Sequence, residues 1–387
     1  MITSFEIRIL KFIQKHWFAF AFLGISVLAL LARLAMLDFQ SGDFVVFLEP
    51  WFYEMKSAGG LSSLASFPGD YNAPYMTIMA LLTYLPLNPL FLIKGVSLLF
   101  DFSLAVSSVL LARELLKKNK NRNVVSLIVY AVVLFLPSVL LNAGMWGQCD
   151  SIYATFIVLS LLFFLKEKFL PTFLLLGVAF AFKFQTIFVL PFFVIMYFAQ
   201  KKFSFLYFLI IPCVDFVMCL PAIIFGWPVQ NVFLTYARQS SSYDFGLTHN
   251  FPNIYNLLNG DLLIMKNVGL VLVLTVCACL LFYCLGKKIT WNKEKMLALL
   301  IVSVLAIGFV LPSMHERYMF VAEVLAAIYC IVYRKNLALM ATIIIVPLIT
   351  YSSYLFGVTY NETCASIGVL FLGGYACFKL LKGVANE

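Results

Sequence analysis

The chain has 387 residues, 63% of them hydrophobic and only 12% charged, with a mean hydropathy of +0.99. An ordinary soluble domain is roughly 45–50% apolar and about 25% charged, so soluble, disordered, collagen-like and disulfide-scaffold classes are excluded. The net charge of +9 would suggest nucleic acid on a soluble protein, but its placement along the chain points to another use.

In chain order, apolar runs of about 20 residues, the length of a helix that crosses a hydrocarbon core, predict spans near 17–37, 95–116, 123–143, 150–165, 203–225, 263–285, 296–312, 318–333, 337–355 and 363–381. Shorter runs lie at 169–182 and 184–199, and 74–93 is ambiguous. Basic clusters fall at alternate ends of these spans: Arg8/Lys11/Lys15, Arg113 through Arg122, Lys166/Lys168, Lys201/Lys202, Lys287 through Lys295, Arg334/Lys335 and Lys379/Lys382. With a cytoplasmic N-terminus, every cluster is cytoplasmic under the positive-inside rule. Both termini are then inside, and the basic charge sets orientation without implying a nucleic-acid partner. The first span is too long for a cleaved signal, and no small-residue cleavage site follows Leu34–Met36.

The stretch 73–116 starts outside and ends inside. Its part 74–87, interrupted by Pro74, Pro86 and Pro89, is expected to enter the membrane without crossing, which is tolerable only inside protein or beside a cavity. The expected architecture is all-α: a polytopic transmembrane protein of roughly 11–13 helices in a single integral-membrane domain, 1–387. The nine cysteines form no CxxC pair. Most fall in spans and read as buried small hydrophobes, while Cys149 and Cys364 lie outside, where pairing is open but not required.

The informative residues gather on the non-cytoplasmic side. The loop 38–72 is acidic, with Asp38, Asp43, Glu49, Glu54 and Asp70 against a single Lys56. A short turn holds Trp146, Gln148, Cys149 and Asp150. The loop 226–262 carries Tyr236, Arg238, Asp244, His249, Asn250 and Asn253, and a last turn holds His315, Glu316, Arg317 and Tyr318. Ionisable groups concentrated in loops on a rigid scaffold mark a site.

Each has two readings. Asp43 is a general base for a hydroxyl at the membrane rim or a solvated loop acid. Asp70-Tyr71 with Pro74 is ordinary helix-entry chemistry. Lys183 joins two short helices; fourteen residues at 1.5 Å each reach only about 21 Å of a core about 30 Å thick. The junction Lys183-Phe184-Gln185 therefore lies below the surface, and Lys183 is expected to line a polar cavity or to snorkel to the interface. Arg317 can grip a phosphate bidentately, or simply neutralise Glu316. Asp101, Asp215 and Glu323 read as hydrogen-bonding groups between helices. There is no GxxxxGK[ST], GxGxxG, HExxH or GxSxG motif. The scattered His16, His249 and His315 are poor material for a metal site. An acid at the rim, cations and an aromatic interior fit a lipid phosphate as substrate.

Together these motifs resemble the GT-C superfamily of integral-membrane glycosyltransferases that use polyprenyl-phosphate sugars. They are Gly42-Asp43-Phe44, Asp70-Tyr71 through Pro74, Trp146-Gly147-Gln148-x-Asp150, Lys183-x-Gln185 with Pro191, and His315-Glu316-Arg317-Tyr318. The pattern is similar to the glucosyltransferases of N-glycan assembly and to bacterial relatives of GPI mannosyltransferases. In the latter, the loop after the eighth span also looks like His249-Asn250-Phe251-Pro252-Asn253-Ile254-Tyr255. The resemblance runs from about residue 20 to 320. It implies a catalytic module over 1–225 and variable C-terminal helices over 226–387, with Asp43 as general base on the acceptor. It places Trp146, Gln148 and Asp150 near the sugar, and Lys183, His315 and Arg317 near the donor phosphate. Asp70, Tyr71, Gln185, Arg238, His249 and Glu316 join them as substrate-binding candidates. Ser41 stands where the GPI type carries a first acid, so no metal or other cofactor is expected.

The implied partners are a polyprenyl-phosphate sugar, a glycan or lipid-linked acceptor and membrane lipid. The expected place is a bacterial plasma membrane, with the site on the outer face and inversion of a β-linked donor. Two rivals remain: a transporter or lipid flippase, which shares the helices and intramembrane charges, and a ligase or polymerase of lipid-linked glycans. Neither the sugar nor the acceptor is named by these residues, and the last sixty or so residues carry no assignable motif.

Overall fold

The computed structural model describes residues 3–66, 69–242, 246–258 and 260–385. Asp244 lies outside the described residues. The chain is 79% helical, and it is an all-α polytopic membrane protein. Helix α1 (Ser4–Leu34) opens with a capping box between Thr3 and Glu6, which satisfies orphan N–H groups of its first turn. In the first long loop the chain forms a π turn (Phe44–Leu48), α2 (Glu49–Ser57) and a 3-10 turn (Gly60–Ala65). Next come α3 (Ala73–Leu82) and α4 (Pro89–Leu115), each with an Asn cap and a proline in its first turn, where the missing N–H costs nothing. The cap of α3 is Asn72, one residue beyond the expected Asp-Tyr pair. Ten residues make α3 about 15 Å long, too short to cross, as expected for the stretch after Pro74.

Helices α5 (Arg122–Phe135) and α6 (Pro137–Leu141) meet at a 47° bend set by Pro137. Then follow α7 (Asp150–Leu165), α8 (Phe169–Phe182), α9 (Leu190–Gln200), α10 (Ile210–Ile224) and α11 (Val229–Ser242), the last an unforeseen helix inside the second long loop. The C-terminal part holds α12 (Leu262–Gly286), α13 (Lys293–Val310), α14 (Phe320–Tyr333), α15 (Leu337–Phe356), α16 (Glu362–Gly368) and α17 (Gly374–Ala385). A two-residue parallel bridge pairs β1 (Thr248–His249) with β2 (Met314–His315).

Of the described helices, six are long and apolar enough to cross a membrane, or seven counting the bent pair. The expected spans at 150–165 and 318–333 are helices of 10–17 residues, as are the two shorter runs 169–182 and 184–199. Several stop where polar groups interrupt them, and the broken backbone at Lys183 is enclosed in protein. Helix α7 is apolar around its circumference and buried on nearly every residue, packed between α4 and α8. Helix α1, by contrast, buries only Ala29 and Arg33 and turns its leucines and phenylalanines outward, the surface a lipid solvent favours.

Five of the seven basic clusters are joined at one end of the bundle. Glu114 at the end of α4 meets Lys293 at 2.5 Å and Lys166 at 3.9 Å; Glu294 meets Lys335 at 2.8 Å, and Glu167 meets Lys202 at 2.5 Å. At the other end α1 stops, α7 begins and the two long loops gather.

Candidate active site

The approach to the site is fixed by a lysine. Lys94 of α4 donates to the carbonyls of Met36, Leu37 and Phe39 at 3.1, 3.0 and 2.6 Å, closing the C-terminal end of α1, where a cation is favoured. The chain then turns into Ser41-Gly42-Asp43. Ser41 is buried; its hydroxyl donates to the Trp146 carbonyl at 2.7 Å and accepts from the Phe44 N–H at 3.2 Å. Ser41 thus pins the first loop to the 146–150 turn. That turn requires Gly147, whose φ of +78° would be strained in any residue with a Cβ. Asn142 organises it, accepting from the Gln148 N–H at 3.0 Å and donating to Asp150 Oδ2 at 2.7 Å.

Asp43 is half-buried and its carboxylate is held from three sides. Oδ2 accepts from Trp146 Nε1 and Gln148 Nε2, both at 2.8 Å, and Oδ1 accepts from the Tyr354 hydroxyl at 2.5 Å. The Tyr354 oxygen in turn accepts from the Asp43 N–H at 2.9 Å, and its ring stacks on Trp146 at 4.1 Å and 15°. Burial alone would raise the Asp43 carboxyl, but the Arg317 charge and the Tyr354 and Trp146 hydrogen bonds outweigh it and hold the group below the usual carboxylate range.

Gln148 relays between the acid and a cation. Its Oε1 accepts from Arg317 Nη1 at 2.7 Å and from the Tyr71 hydroxyl at 2.8 Å while its amide holds Asp43. Arg317 also lies 5.5 Å over the Trp146 ring and 3.9 Å from Asp150 Oδ2. Burial opposes its charge, but Asp150, Tyr71 and Asp43 raise it, so Arg317 stays a cation. Lys183 sits at the break between α8 and the 3-10 turn Phe184–Val189, in extended backbone. It is 7% exposed and paired with Asp150 Oδ1. Nearby, Asn72 donates to the Ala181 carbonyl at 3.0 Å and to Asp215 Oδ1 at 3.1 Å, fastening the first loop to α8 and α10.

These groups surround a cavity of about 360 Å³ lined by Asp43, Trp51, Asp70, Tyr71, Gln148, Lys183, Gln185, Tyr236, His249, His315, Arg317, Tyr318 and Tyr354. That volume suits a small-molecule site. Burial raises the Asp70 carboxyl. It also pushes Glu316 up to about 7 and, with the Arg317 charge, holds His315 well below its ordinary range.

Most of the expected residues therefore meet at one place. Trp146, Asp150 and Glu316 stand behind the wall, the first 0% and the others 1% exposed, and act through what they hold. Arg238 is an exception: it is exposed on α11 and does not line the cavity. The β bridge joins two of the three scattered histidines, the rings of His249 and His315 lying 4.6 Å apart. Arg317 is held by Gln148 and Asp150, and Glu316 instead faces His315. Sequence reasoning missed Tyr354 and Tyr351, which pack against Trp146 from α15; their only signal is a tyrosine pair at the site end of an apolar run. It also missed the partner of Asp101. Arg33 Nε donates to Asp101 Oδ2 at 2.8 Å and Ser151 donates to Oδ1 at 2.5 Å, both charges being 0% exposed. Glu323 lines a second, apolar cavity of about 240 Å³. Cys149 is buried and Cys364 exposed, both as free thiols; Cys213 and Cys279 of the spans are exposed. The chain matches no protein-family model and no curated protein.

Proposed function

We propose that the chain is an inverting glycosyltransferase of GT-C type with roughly 11–13 membrane helices. It moves a hexose from a polyprenyl-phosphate sugar to an acceptor hydroxyl of a lipid-linked or cell-surface glycan. The observation that carries this is the meeting of a fixed carboxylate, Asp43, with Arg317 and Lys183 around one aromatic-walled cavity. The cavity lies at the end of the bundle opposite the ion-paired basic clusters, and the positive-inside rule makes that end non-cytoplasmic.

The charges suit such a donor. Lys183 and Arg317 offset the carboxylates of Asp150 and Asp43 around the cavity, so two cations stand ready beside the single negative charge that a phosphodiester brings. Asp43 takes the proton of the acceptor hydroxyl as its oxygen attacks C1. The bond from C1 to the phosphate oxygen breaks, its electron pair leaving with the polyprenyl phosphate, whose second negative charge develops near Arg317. A single displacement needs one carboxylate and inverts the anomeric centre; retention by covalent catalysis would need two.

The test is incubation of the purified protein with a panel of polyprenyl-phosphate sugars and a hydroxyl acceptor, with detection of released polyprenyl phosphate. Asp43→Asn should bind the donor normally and turn over about 10²–10⁴-fold more slowly. Donor consumption equal to wild type in Asp43→Asn would remove the acid from its role.

A further inference from the structure

We infer that His249, His315 and Glu316 form a binding site for a divalent transition-metal ion of the zinc class, open on its fourth side to the cavity. The three side chains offer one ligand atom each, and these atoms lie within 4.8 Å of one another. A tetrahedral ion with bonds near 2.0–2.1 Å spaces its ligand atoms about 3.3 Å apart, inside the 4.8 Å within which the three atoms already lie. Two imidazoles and a carboxylate are the donor set that selects zinc-like ions over calcium or magnesium, which prefer oxygen. Three protein ligands with one vacant position is also the pattern of zinc sites that act on a bound molecule.

The backbone holds the set together from two distant segments. The parallel bridge puts His249 in register with His315, and two hydrogen bonds from Ser313, to the carbonyls of Leu247 and Gly246 at 2.8 Å each, fasten the same junction. Both flanks are in left-handed backbone: Asn250 has a φ of +53° and Ser313 of +55°. Such conformations are uncommon for residues other than glycine and cluster at functional sites. Asn250 is held there by bonds on both sides, donating to the Thr350 carbonyl at 2.9 Å and accepting from the Tyr360 hydroxyl at 3.1 Å. Glu316, 1% exposed, faces His315 Nδ1, and its other carboxylate oxygen accepts from Asn250 Nδ2 at 3.5 Å. The carboxylate thus backs the cluster from the protein side, while both histidines face the cavity. Ion binding does not rest on the transferase reading; if that reading holds, the open position takes a phosphate oxygen of the donor.

The test uses the full chain in detergent, stripped with a chelator and then exposed to zinc or cobalt alone. Wild type should retain one zinc per chain after desalting, and cobalt should give the intense visible bands of a low-coordinate site. His249→Ala and Glu316→Gln should each weaken zinc binding by more than the 10–100-fold that loss of a merely supporting hydrogen bond costs. Thermal melting of the stripped proteins tells a lost ligand from a lost fold. His249→Ala carries that comparison, because His249 is only partly buried and its variant should melt like the stripped wild type. Added zinc should then raise the melting temperature of wild type and leave that of His249→Ala unmoved. No stoichiometric zinc on wild type would overturn the site and make the cluster a histidine–glutamate hydrogen bond only. Zinc retained equally by both variants would overturn it too, by locating the ion elsewhere.

Discussion

Tyr354→Phe isolates one hydroxyl of the site. The phenyl ring keeps its 4.1 Å stack on Trp146, and the substitution deletes the 2.5 Å bond to Asp43 Oδ1 and the 2.9 Å bond from the Asp43 N–H. A hydrogen bond to a charged group contributes about 1.5–3 kcal/mol and a neutral one about 0.5–1.5 kcal/mol. If the first of these fixes the carboxylate in its reacting position, its loss at about 1.36 kcal/mol per decade slows turnover about 10–150-fold. The second appears as a stability loss of about 0.5–1.5 kcal/mol in thermal or denaturant unfolding. The pH profile adds a third reading. Because the folded Asp43 carboxyl lies below its ordinary value, its ionised form stabilises the protein above about pH 4, the unfolded aspartate value, and that contribution is lost as pH falls through the folded value. Removing the Tyr354 bond should move the acid limb of turnover upward. The assay is release of polyprenyl phosphate across an acid pH series, with unfolding measured on the same samples. Wild-type turnover together with an unmoved acid limb would refute the reasoning and reduce Tyr354 to a packing residue.

Arg317→Lys keeps the charge but loses the fork geometry that reaches Gln148 at 2.7 Å; turnover should fall before melting temperature does, and Arg317→Ala should fall further, whereas near-normal turnover in Arg317→Lys would leave Lys183 as the main phosphate ligand. The buried Arg33–Asp101 pair makes a prediction independent of function. Asp101→Leu alone should destabilise by about 3–5 kcal/mol by stranding Arg33, and Arg33→Met with Asp101→Leu should recover most of that loss; additive losses in the unfolding cycle would mean that the two charges are not coupled. Single cysteines placed in a Cys-less chain at the exposed positions Gly42, Glu54 or Leu258 should react with impermeant thiol reagents from the non-cytoplasmic side, and labelling of 118–122 from that side would invert the assigned orientation.

The helices were legible because hydropathy is a one-dimensional property, and so was the common end of the ion-paired basic clusters. Asp43, Gln148, Lys183 and Arg317 could be nominated because a charged or amide side chain at the end of an apolar run stands out against its neighbours. Their partners could not. Tyr354 lies in an apolar run with other tyrosines, and only packing shows that its hydroxyl reaches Asp43. Arg33 lies inside the apolar run 17–37, where nothing nearby in the sequence marks a partner, and only the fold makes it the counter-charge of Asp101. The β bridge is two residues long, below any alternation a sequence can display, yet it decides that His249 and His315 meet. Arg238 shows the converse: a cation in a polar loop invites assignment, but the face of α11 that carries it points away from the cavity.

The contact between Asp43 and Tyr354 spans 311 residues, and that separation has a meaning in time. Ribosomes extend a chain at about 5–20 residues per second, so Tyr354 is made about 15–60 s after the acid it will hold. Through all of that interval Asp43 lacks at least one of its three side-chain donors. The competent carboxylate is thus a product of the last insertion events, and a chain stalled or cleaved before α15 carries every motif of its N-terminal half without a finished site.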